Sequence, residues 1–135
     1  MQKSINIVLI DDHEMVLQGL STLLGNHPGF NIVGEYTNGF TAVKEIKKLY
    51  VDIVLTDINM PEINGFETAQ KLRESDPELK IIMLSMEVKQ AYVQKAKQEQ
   101  INAYVSKDSP IQDLIAIIKK VYLGESHFEL MKALS

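Results

Sequence analysis

Acidic side chains and a lysine follow three apolar, strand-like runs of this chain: Asp11-Asp12 after the first, Asp57 after the third and Lys107 after the fifth. Because the carboxyl ends of parallel strands meet at one edge of a sheet, these residues are expected to converge there. Carboxylates crowded together raise one another's pKa, and a hard divalent cation with oxygen ligands resolves the conflict. Mg²⁺ is the natural candidate, since it takes one or two carboxylates together with waters and a phosphate.

Such a pocket favours phosphoryl transfer. With a cation neutralising the acids, Asp57 can act as a nucleophile and form an aspartyl-phosphate. The transfer needs mainly positioning and charge stabilisation, for which the metal and the Lys107 ammonium are suited. A hydroxyl at Ser85, which ends the fourth apolar run, could donate to a third phosphate oxygen. Acids at strand ends also cap helices, and for Asp12 or Asp57 taken alone that simpler interpretation stays open.

The elements that must position these residues follow from hydrophobic periodicity. Five runs are typical of strands, and the first, a near-continuous aliphatic run, indicates burial on both faces of a parallel sheet: 5–10, 30–36, 53–56, 80–85 and 103–106. Amphipathic stripes between them predict five helices. The alternation predicts one α/β domain, a (βα)5 doubly wound five-stranded parallel sheet with helices on both faces.

Three details of the helices are predicted as well. The second helix is expected to carry Val43, Ile46 and Leu49, and the fourth, at 89–99, has only a weak apolar stripe. Ser109-Pro110 predicts a cap followed by proline at the first position of the last helix. Residues 125–135 fit none of these units, so the domain is expected to span 1–124 and the rest to be a tail or the start of a linker.

Composition narrows the functional classes. The chain is 45% hydrophobic and 24% charged, which is ordinary for one globular domain. A net charge of -4 argues against binding nucleic acid by the chain itself. Without cysteine there is no disulfide or thiolate zinc site, and the histidines (His13, His27, His127) are expected on the surface, at spacings that make no metal site. The only early apolar run is too short for a signal peptide or membrane span, so a cytoplasmic protein without membrane contact is expected.

In the order of its motifs the chain resembles the receiver domain of bacterial two-component response regulators, from about Ile5 to Gly124. The motifs are an acidic pair after the first strand, an aspartate followed by Met-Pro and Gly, a hydroxyl after the fourth strand and a lysine after the fifth. Each motif alone is a weak indication of the family, but all of them in this order are a strong one. The resemblance implies the flavodoxin-like strand order 2-1-3-4-5.

The resemblance also implies the chemistry. Asp57 would accept a phosphoryl group from a sensor histidine kinase, and the chain would catalyse only its own phosphorylation and dephosphorylation. Mg²⁺ would bind Asp12 directly, Asp11 through water, Asp57, and the backbone carbonyl of Asn59. Lys107 would contact the phosphoryl group.

Further positions would carry the response. Ser85 would contact the phosphoryl group, and Tyr104 would be the switch aromatic that swings inward when Ser85 is drawn towards the phosphate. The side chains of Asn59 and Glu87 would influence how fast the phosphoryl group is hydrolysed. Phosphorylation would remodel the surface formed by the fourth helix, fifth strand and fifth helix, and homodimerisation on phosphorylation is possible.

Local segments resemble the LuxR/NarL type, which places a helix-turn-helix DNA-binding domain after the receiver: Asp11-Asp12-His13, Leu84-Ser85-Met86 and the segment 104–108, with Asp108 where many receivers have proline. The chain would contact DNA only through such a domain, which is absent here. It is therefore expected to be a receiver excised from a longer transcription regulator, with a stand-alone receiver acting through protein contacts as the alternative.

Two other classes share parts of the pattern. A haloacid-dehalogenase-like phosphatase also uses an aspartyl-phosphate, Mg²⁺ and a lysine. It needs a second acid two residues after the nucleophile, where this chain has Asn59, and a cap domain. A flavodoxin-like cofactor binder would share the sheet topology, but the acidic loop after the first strand would repel a flavin phosphate, and no glycine-rich nucleotide loop occurs.

Overall fold

The computed structural model describes residues 4–128. Its strands are β1 Ile5–Ile10, β2 Phe30–Tyr36, β3 Ile53–Asp57, β4 Lys80–Ser85, β5 Ala103–Ser106 and β6 His127–Phe128. Its helices are α1 Glu14–Gly25, α2 Gly39–Ile46, α3 Gly65–Ser75, α4 Gln90–Gln98 and α5 Ile111–Tyr122. All strands pair in parallel in one sheet, in the order β2-β1-β3-β4-β5-β6. The predicted fold class and strand order are confirmed.

The sheet is covered on both faces, which explains the continuous aliphatic runs. Along β1, Ile7 and Leu9 face a core built with α1 and α5, whereas Val8 and Ile10 face a second core built with α2, α3 and α4. Alternate side chains of a strand point to opposite faces, so a strand buried on both sides has no polar alternation. Between residues 4 and 128, no helix has the length and apolar character needed to cross a membrane.

The tail after α5 contains a strand that the sequence analysis did not predict. His127 and Phe128 extend the sheet beyond β5 as β6. Two residues are too short to give a periodic hydrophobic pattern, so only the tertiary contact identifies them. The remaining residues of the expected tail, 129–135, lie outside the described part of the chain.

Two predictions about helix ends were wrong. The α2 helix ends at Ile46, and Leu49 lies beyond it in a turn whose amide donates to the Ile46 carbonyl at 3.0 Å. The α5 helix begins at Ile111 with Pro110, not Ser109, as its N-cap. The reason is the backbone of Pro110, whose ψ of 145° is extended, so that proline cannot be the first helical residue.

The α3 helix begins with a capping box that fixes the loop after β3. The Asn64 side chain accepts from the Glu67 amide at 2.8 Å, and the Glu67 carboxylate accepts from the Asn64 amide at 2.9 Å. Both bonds satisfy amides that the first turn of a helix otherwise leaves unpaired. The loop that follows Asp57 is therefore held at its far end by a rigid helix start.

Candidate functional site

Strand register brings the predicted residues to one edge of the sheet. Ile10 of β1 pairs with Thr56 of β3, so the residues that follow them, Asp11 and Asp57, are neighbours across the two central strands. Ser85 closes β4 on the other side of β3. Lys107 follows β5, and its amide donates to the Ser85 carbonyl at 2.8 Å. The expected convergence of these strand ends is therefore observed.

The Lys107 ammonium joins two buried carboxylates. Its Nζ lies 2.6 Å from Asp11 Oδ2 and 3.2 Å from Asp57 Oδ1, and its side chain is only 11% exposed. Burial alone lowers the pKa of Lys107, but the hydrogen bond that its ammonium donates to Asp11 and the charges of both acids outweigh it, so the pKa is raised from its ordinary value. The lysine is thus a cation at neutral pH within the pocket.

Asp57 is also buried, and its carboxyl group ionises less easily than that of an ordinary aspartate. Burial raises its pKa, the charge of Asp11 raises it further, and the Lys107 cation and the Ile58 amide, which donates to Oδ1 at 2.8 Å, work in the opposite direction. The net direction is upward. This is a carboxylate in a crowded anionic pocket, in which an added cation would favour ionisation.

The acidic pair continues the pocket towards solvent. Asp11 is buried, Asp12 is partly exposed, and Oδ1 of Asp12 is shielded from solvent and makes no hydrogen bond, although His13 Nδ1 lies within ion-pair distance at 3.2 Å. Oxygen atoms of Asp11, Asp12 and Asp57 lie within 4.8 Å of one another. Three carboxylates at this separation, one with an unsatisfied oxygen, form the hard oxygen donor set that suits Mg²⁺, so the residues present fit the ion.

His13 joins this group, which sequence reasoning did not predict. Its ring is 66% exposed, as expected of a surface residue, but Nδ1 lies 3.2 Å from Oδ1 of both Asp11 and Asp12. The ring nitrogen falls in the same cluster as the carboxylate oxygens. Histidine spacing alone could not reveal this, because the partners are the adjacent acids.

Gly65 is a second residue whose importance only the structure reveals. A Cβ at this position would collide with the backbone carbonyl of Asp57 and with Cα of Ile58. The Gly65 amide donates to the Ile58 carbonyl at 2.7 Å. The start of α3 therefore packs directly on the backbone that carries the central acid. The glycine after Asn64 in the motif was the available indication.

Ser85 and Tyr104 share one acceptor. The Ser85 hydroxyl donates to the Glu87 carbonyl at 2.8 Å, and the Tyr104 hydroxyl donates to the same oxygen at 2.7 Å. The Glu87 amide donates back to Ser85 Oγ at 3.1 Å. Tyr104 is fully buried, and burial raises the pKa of its hydroxyl against the opposing effect of a hydrogen bond with Ser85. In this state Tyr104 is already inward and Ser85 is bonded to the β4–α4 loop.

The remaining predicted positions lie at the rim. Asn59 is exposed in the loop after β3. The Glu87 carboxylate is 66% exposed and pairs with Lys89 Nζ at 3.0 Å. The structure thus brings together the acids and Lys107 in one cluster, with Ser85 and Tyr104 in an adjacent network, and leaves the side chains of Asn59 and Glu87 at the surface.

The fold and this site define a response regulator receiver domain. The family model described as "Response regulator receiver domain" matches residues 7–119, and the chain belongs to that family. Members are signalling proteins, not classical enzymes. The family match decides against the phosphatase and flavodoxin-like alternatives.

Relatives and solved structures agree with this assignment. The chain is 37% identical over 123 residues to the response regulator UvrY of Escherichia coli K12, covering 91% of this chain and 56% of that protein. It is 30% identical over 126 residues to the response regulator VraR of Staphylococcus epidermidis, covering 93% and 60%. The chain thus spans little more than half the length of these curated relatives.

Among solved structures, the isolated receiver domain of RcsB from Salmonella enterica serovar Typhimurium, determined with the phosphomimetic BeF3-, superimposes with a TM-score of 0.85 at 25% identity, covering 94% of each chain. A LuxR-family regulator from Aurantimonas superimposes with a TM-score of 0.88 at 27% identity, covering 93% of this chain and 89% of that one. The predicted LuxR/NarL type is confirmed by these relatives.

Proposed function

We propose that this domain is a phosphorylation-dependent switch in which Asp57 accepts a phosphoryl group from a sensor histidine kinase. The observation that carries the proposal is the position of Lys107 Nζ, which lies within 3.2 Å of carboxylate oxygens of both Asp11 and Asp57. One cation and a cluster of carboxylates at the carboxyl edge of a parallel sheet are suited to stabilising a phosphoryl group in transfer.

The transfer is a displacement at phosphorus. A carboxylate oxygen of Asp57 attacks the phosphorus of a phosphohistidine, a P–O bond forms, and the P–N bond breaks. The leaving imidazole nitrogen takes the electron pair of that bond and a proton from solvent. Lys107 then exchanges part of its contact with Asp57 for a phosphoryl oxygen, as a point-charge partner. The phosphoryl group thus passes intact from the kinase to the domain. Water later hydrolyses the aspartyl-phosphate.

Mg²⁺ is the ion for which we propose this acidic cluster. Asp12 would bind it directly through its unsatisfied oxygen, Asp57 would be a second ligand, and Asp11 would contribute through water. The backbone carbonyl of Asn59 would complete the share of the protein. When bound, the ion would offset the negative charge that gathers on the transferring group.

The structural response to phosphorylation would begin at the Glu87 carbonyl, which accepts hydrogen bonds from both Ser85 and Tyr104. A phosphoryl oxygen on Asp57 would compete for the Ser85 hydroxyl, which now donates to the Glu87 carbonyl at 2.8 Å. Tyr104 donates to the same carbonyl, so the loop before α4 would rearrange and change the α4-β5-α5 surface. The exposed side chains of Asn59 and Glu87 would influence how long this state lasts.

The whole regulator would control transcription from the cytoplasm. The lengths of UvrY and VraR, of which this chain covers 56% and 60%, support a further domain. A solved structure shows two dimers of the relative RcsB bound to two parallel DNAs. We propose that an attached helix-turn-helix domain makes the DNA contact here too, and that phosphorylation changes dimerisation or releases that domain.

The test is direct phosphorylation with a small-molecule donor. The full chain is incubated with acetyl phosphate and Mg²⁺, and its intact mass is recorded over time. We expect a gain of one phosphoryl group, located at Asp57 by peptide mapping after borohydride reduction.

Two controls make this test specific. Asp57→Asn removes the acceptor, and excess chelator removes the ion, and each should abolish the gain. Asp52→Asn is the matched variant, because Asp52 is another acid near β3 whose carboxylate accepts from the Asn6 amide, outside the cluster; it should retain the gain. A protein that stays unmodified under all conditions would be a degenerate receiver that responds to a partner without phosphorylation.

A further inference from the structure

The strand after α5 occupies the open edge of β5. His127 pairs with Ala103 and Phe128 with Tyr104, and the His127 amide donates to the Asn102 carbonyl at 3.1 Å. The Phe128 ring is half-buried against the core cluster that includes Tyr104. A two-residue strand has little stability of its own, so its position depends on these tertiary contacts.

The α4 helix provides the second side of the contact. Lys97 Nζ lies 5.3 Å from the centroid of the Phe128 ring, within the range of a cation–π interaction. The neighbouring Lys95 makes the equivalent contact with Phe66 at 5.0 Å instead. Phe128 is thus held between the backbone of β5 and one lysine of α4.

Tyr104 links this contact to the phosphorylation site. Its backbone pairs with Phe128, and its hydroxyl shares the Glu87 carbonyl with the Ser85 hydroxyl. Any change that takes Ser85 away from Glu87 alters the acceptor to which Tyr104 is bonded. A continuous set of contacts therefore joins Ser85, at the site edge, to the residues that follow α5.

We propose that the edge of β5 and Lys97 form a docking surface for the chain's own segment His127–Phe128, and that phosphorylation of Asp57 undocks it. The inference rests on the proposed function and names a new output of the same site. When Ser85 turns to the phosphoryl group, the Glu87 loop and α4 shift, Lys97 leaves Phe128, and β6 separates from β5. The segment that leads out of the domain is then free to reposition.

The first experiment measures docking directly. Amide hydrogen exchange of His127 is recorded by NMR on the ¹⁵N-labelled full chain, before and after addition of acetyl phosphate and Mg²⁺, with the mass of the same sample checked. We expect the protection of the His127 amide to fall about tenfold or more on phosphorylation. Unchanged protection in a sample whose mass shows full phosphorylation would overturn the proposal.

The second experiment needs no phosphorylation, so it separates this proposal from the proposed function. Tyr104→Phe removes the hydroxyl that donates to the Glu87 carbonyl but keeps the ring in the core. Tyr92→Phe, on α4, is the matched control with the same chemical change. We expect the first variant to lower His127 protection about threefold and the second to leave it unchanged. If the His127 amide is equally protected in both variants, the Tyr104 hydroxyl is not coupled to the docking of β6. This result would overturn the proposal whether or not Asp57 accepts a phosphoryl group.

The third experiment tests the contact with α4. Lys97→Gln removes the cation over Phe128, and Lys95→Gln removes the equivalent cation over Phe66 on the same helix. Loss of an exposed cation–π contact should lower His127 protection about two- to fivefold in the Lys97 variant alone. If the Lys95 variant has the same effect, helix stability and not the Phe128 contact holds β6, and the docking surface is overturned.

Discussion

Lys107 Nζ lies 3.2 Å from Asp57 Oδ1. The same nitrogen contacts Asp11 Oδ2, so one ammonium neutralises part of two buried carboxylates that cannot avoid each other. This arrangement suits the proposed phosphoryl transfer, because the cation already contacts Asp57, the proposed acceptor, and is held there by a second acid. Its consequences can be measured in the unphosphorylated protein.

Replacing Lys107 with methionine should destabilise the domain by about 3 kcal/mol, because it leaves Asp11 and Asp57 buried without their cation. Equilibrium urea unfolding in the presence of a chelator gives the free energy of unfolding. Lys120→Met, on the exposed face of α5, is the control and should stay within about 0.5 kcal/mol of the parent. Equal effects of the two variants would mean that the ion pairs contribute nothing to stability.

Asp57→Asn should stabilise the domain at neutral pH by about 1 kcal/mol when no divalent ion is present. The pKa of Asp57 is raised from 3.8 by burial and by Asp11, so its contribution to stability is present below 3.8 and is lost as pH rises through the folded-state pKa. Above that pKa the ionised form is a net cost that asparagine removes.

The pH dependence provides the check on this sign. The advantage of Asp57→Asn over the parent should shrink as pH falls through the pKa of Asp57, and urea unfolding at a series of pH values measures it. Lys107 adds no slope at neutral pH, since its pKa is raised from 10.5 and its contribution is lost only above that value. A stability difference that does not change with pH would contradict the raised pKa. Asp113→Asn, which replaces an exposed carboxylate on α5, is the control variant.

Asp12→Asn should abolish stabilisation by Mg²⁺. A ligand that binds only the folded state adds about 2.7 kcal/mol when present at a hundredfold excess over its Kd. Thermal unfolding with Mg²⁺ and with chelator should therefore separate clearly for the parent and coincide for Asp12→Asn, whose unsatisfied Oδ1 is the proposed ligand. Asp108→Asn, an exposed acid close to Lys107 in sequence, should behave like the parent. If Mg²⁺ still stabilises Asp12→Asn, the ion binds through ligands other than Asp12.

The sequence was sufficient for features that depend on periodicity and order. Strand order and the convergence of Asp11, Asp57 and Lys107 follow from parallel topology, because residues after parallel strands share one edge. The site is also recognisable from residue types taken together, since helix capping explains one acid after a strand but not acids after two strands with a lysine after a third. These features do not depend on side-chain rotamers.

Other features depend on contacts that no local pattern encodes. The hydrogen bonds of Ser85 and Tyr104 to one carbonyl require a loop conformation, and the contact of His13 with the acids requires a ring orientation. The strand β6 has two residues and no period. Pro110 was expected inside α5, but its ψ of 145° places it outside the helix, and proline fixes only φ.

Gly65→Ala and Gly19→Ala should change stability in opposite directions, although each adds only one methyl group. At Gly65 the methyl group would meet the Asp57 carbonyl and Cα of Ile58, both backbone atoms that cannot move aside, so we expect a loss of about 1–3 kcal/mol. At Gly19, within α1, no atom of residues 4–128 outside the adjoining helix backbone lies within 4 Å of the new methyl group, and alanine should stabilise the helix by about 0.5–1 kcal/mol. Urea unfolding measures both, and the rate of phosphorylation by acetyl phosphate should fall only for Gly65→Ala, because that methyl group pushes on the backbone of Asp57, the proposed acceptor. If Gly65→Ala keeps both the stability and the rate of the parent, then the contact between α3 and the Asp57 carbonyl does not hold the acceptor in position.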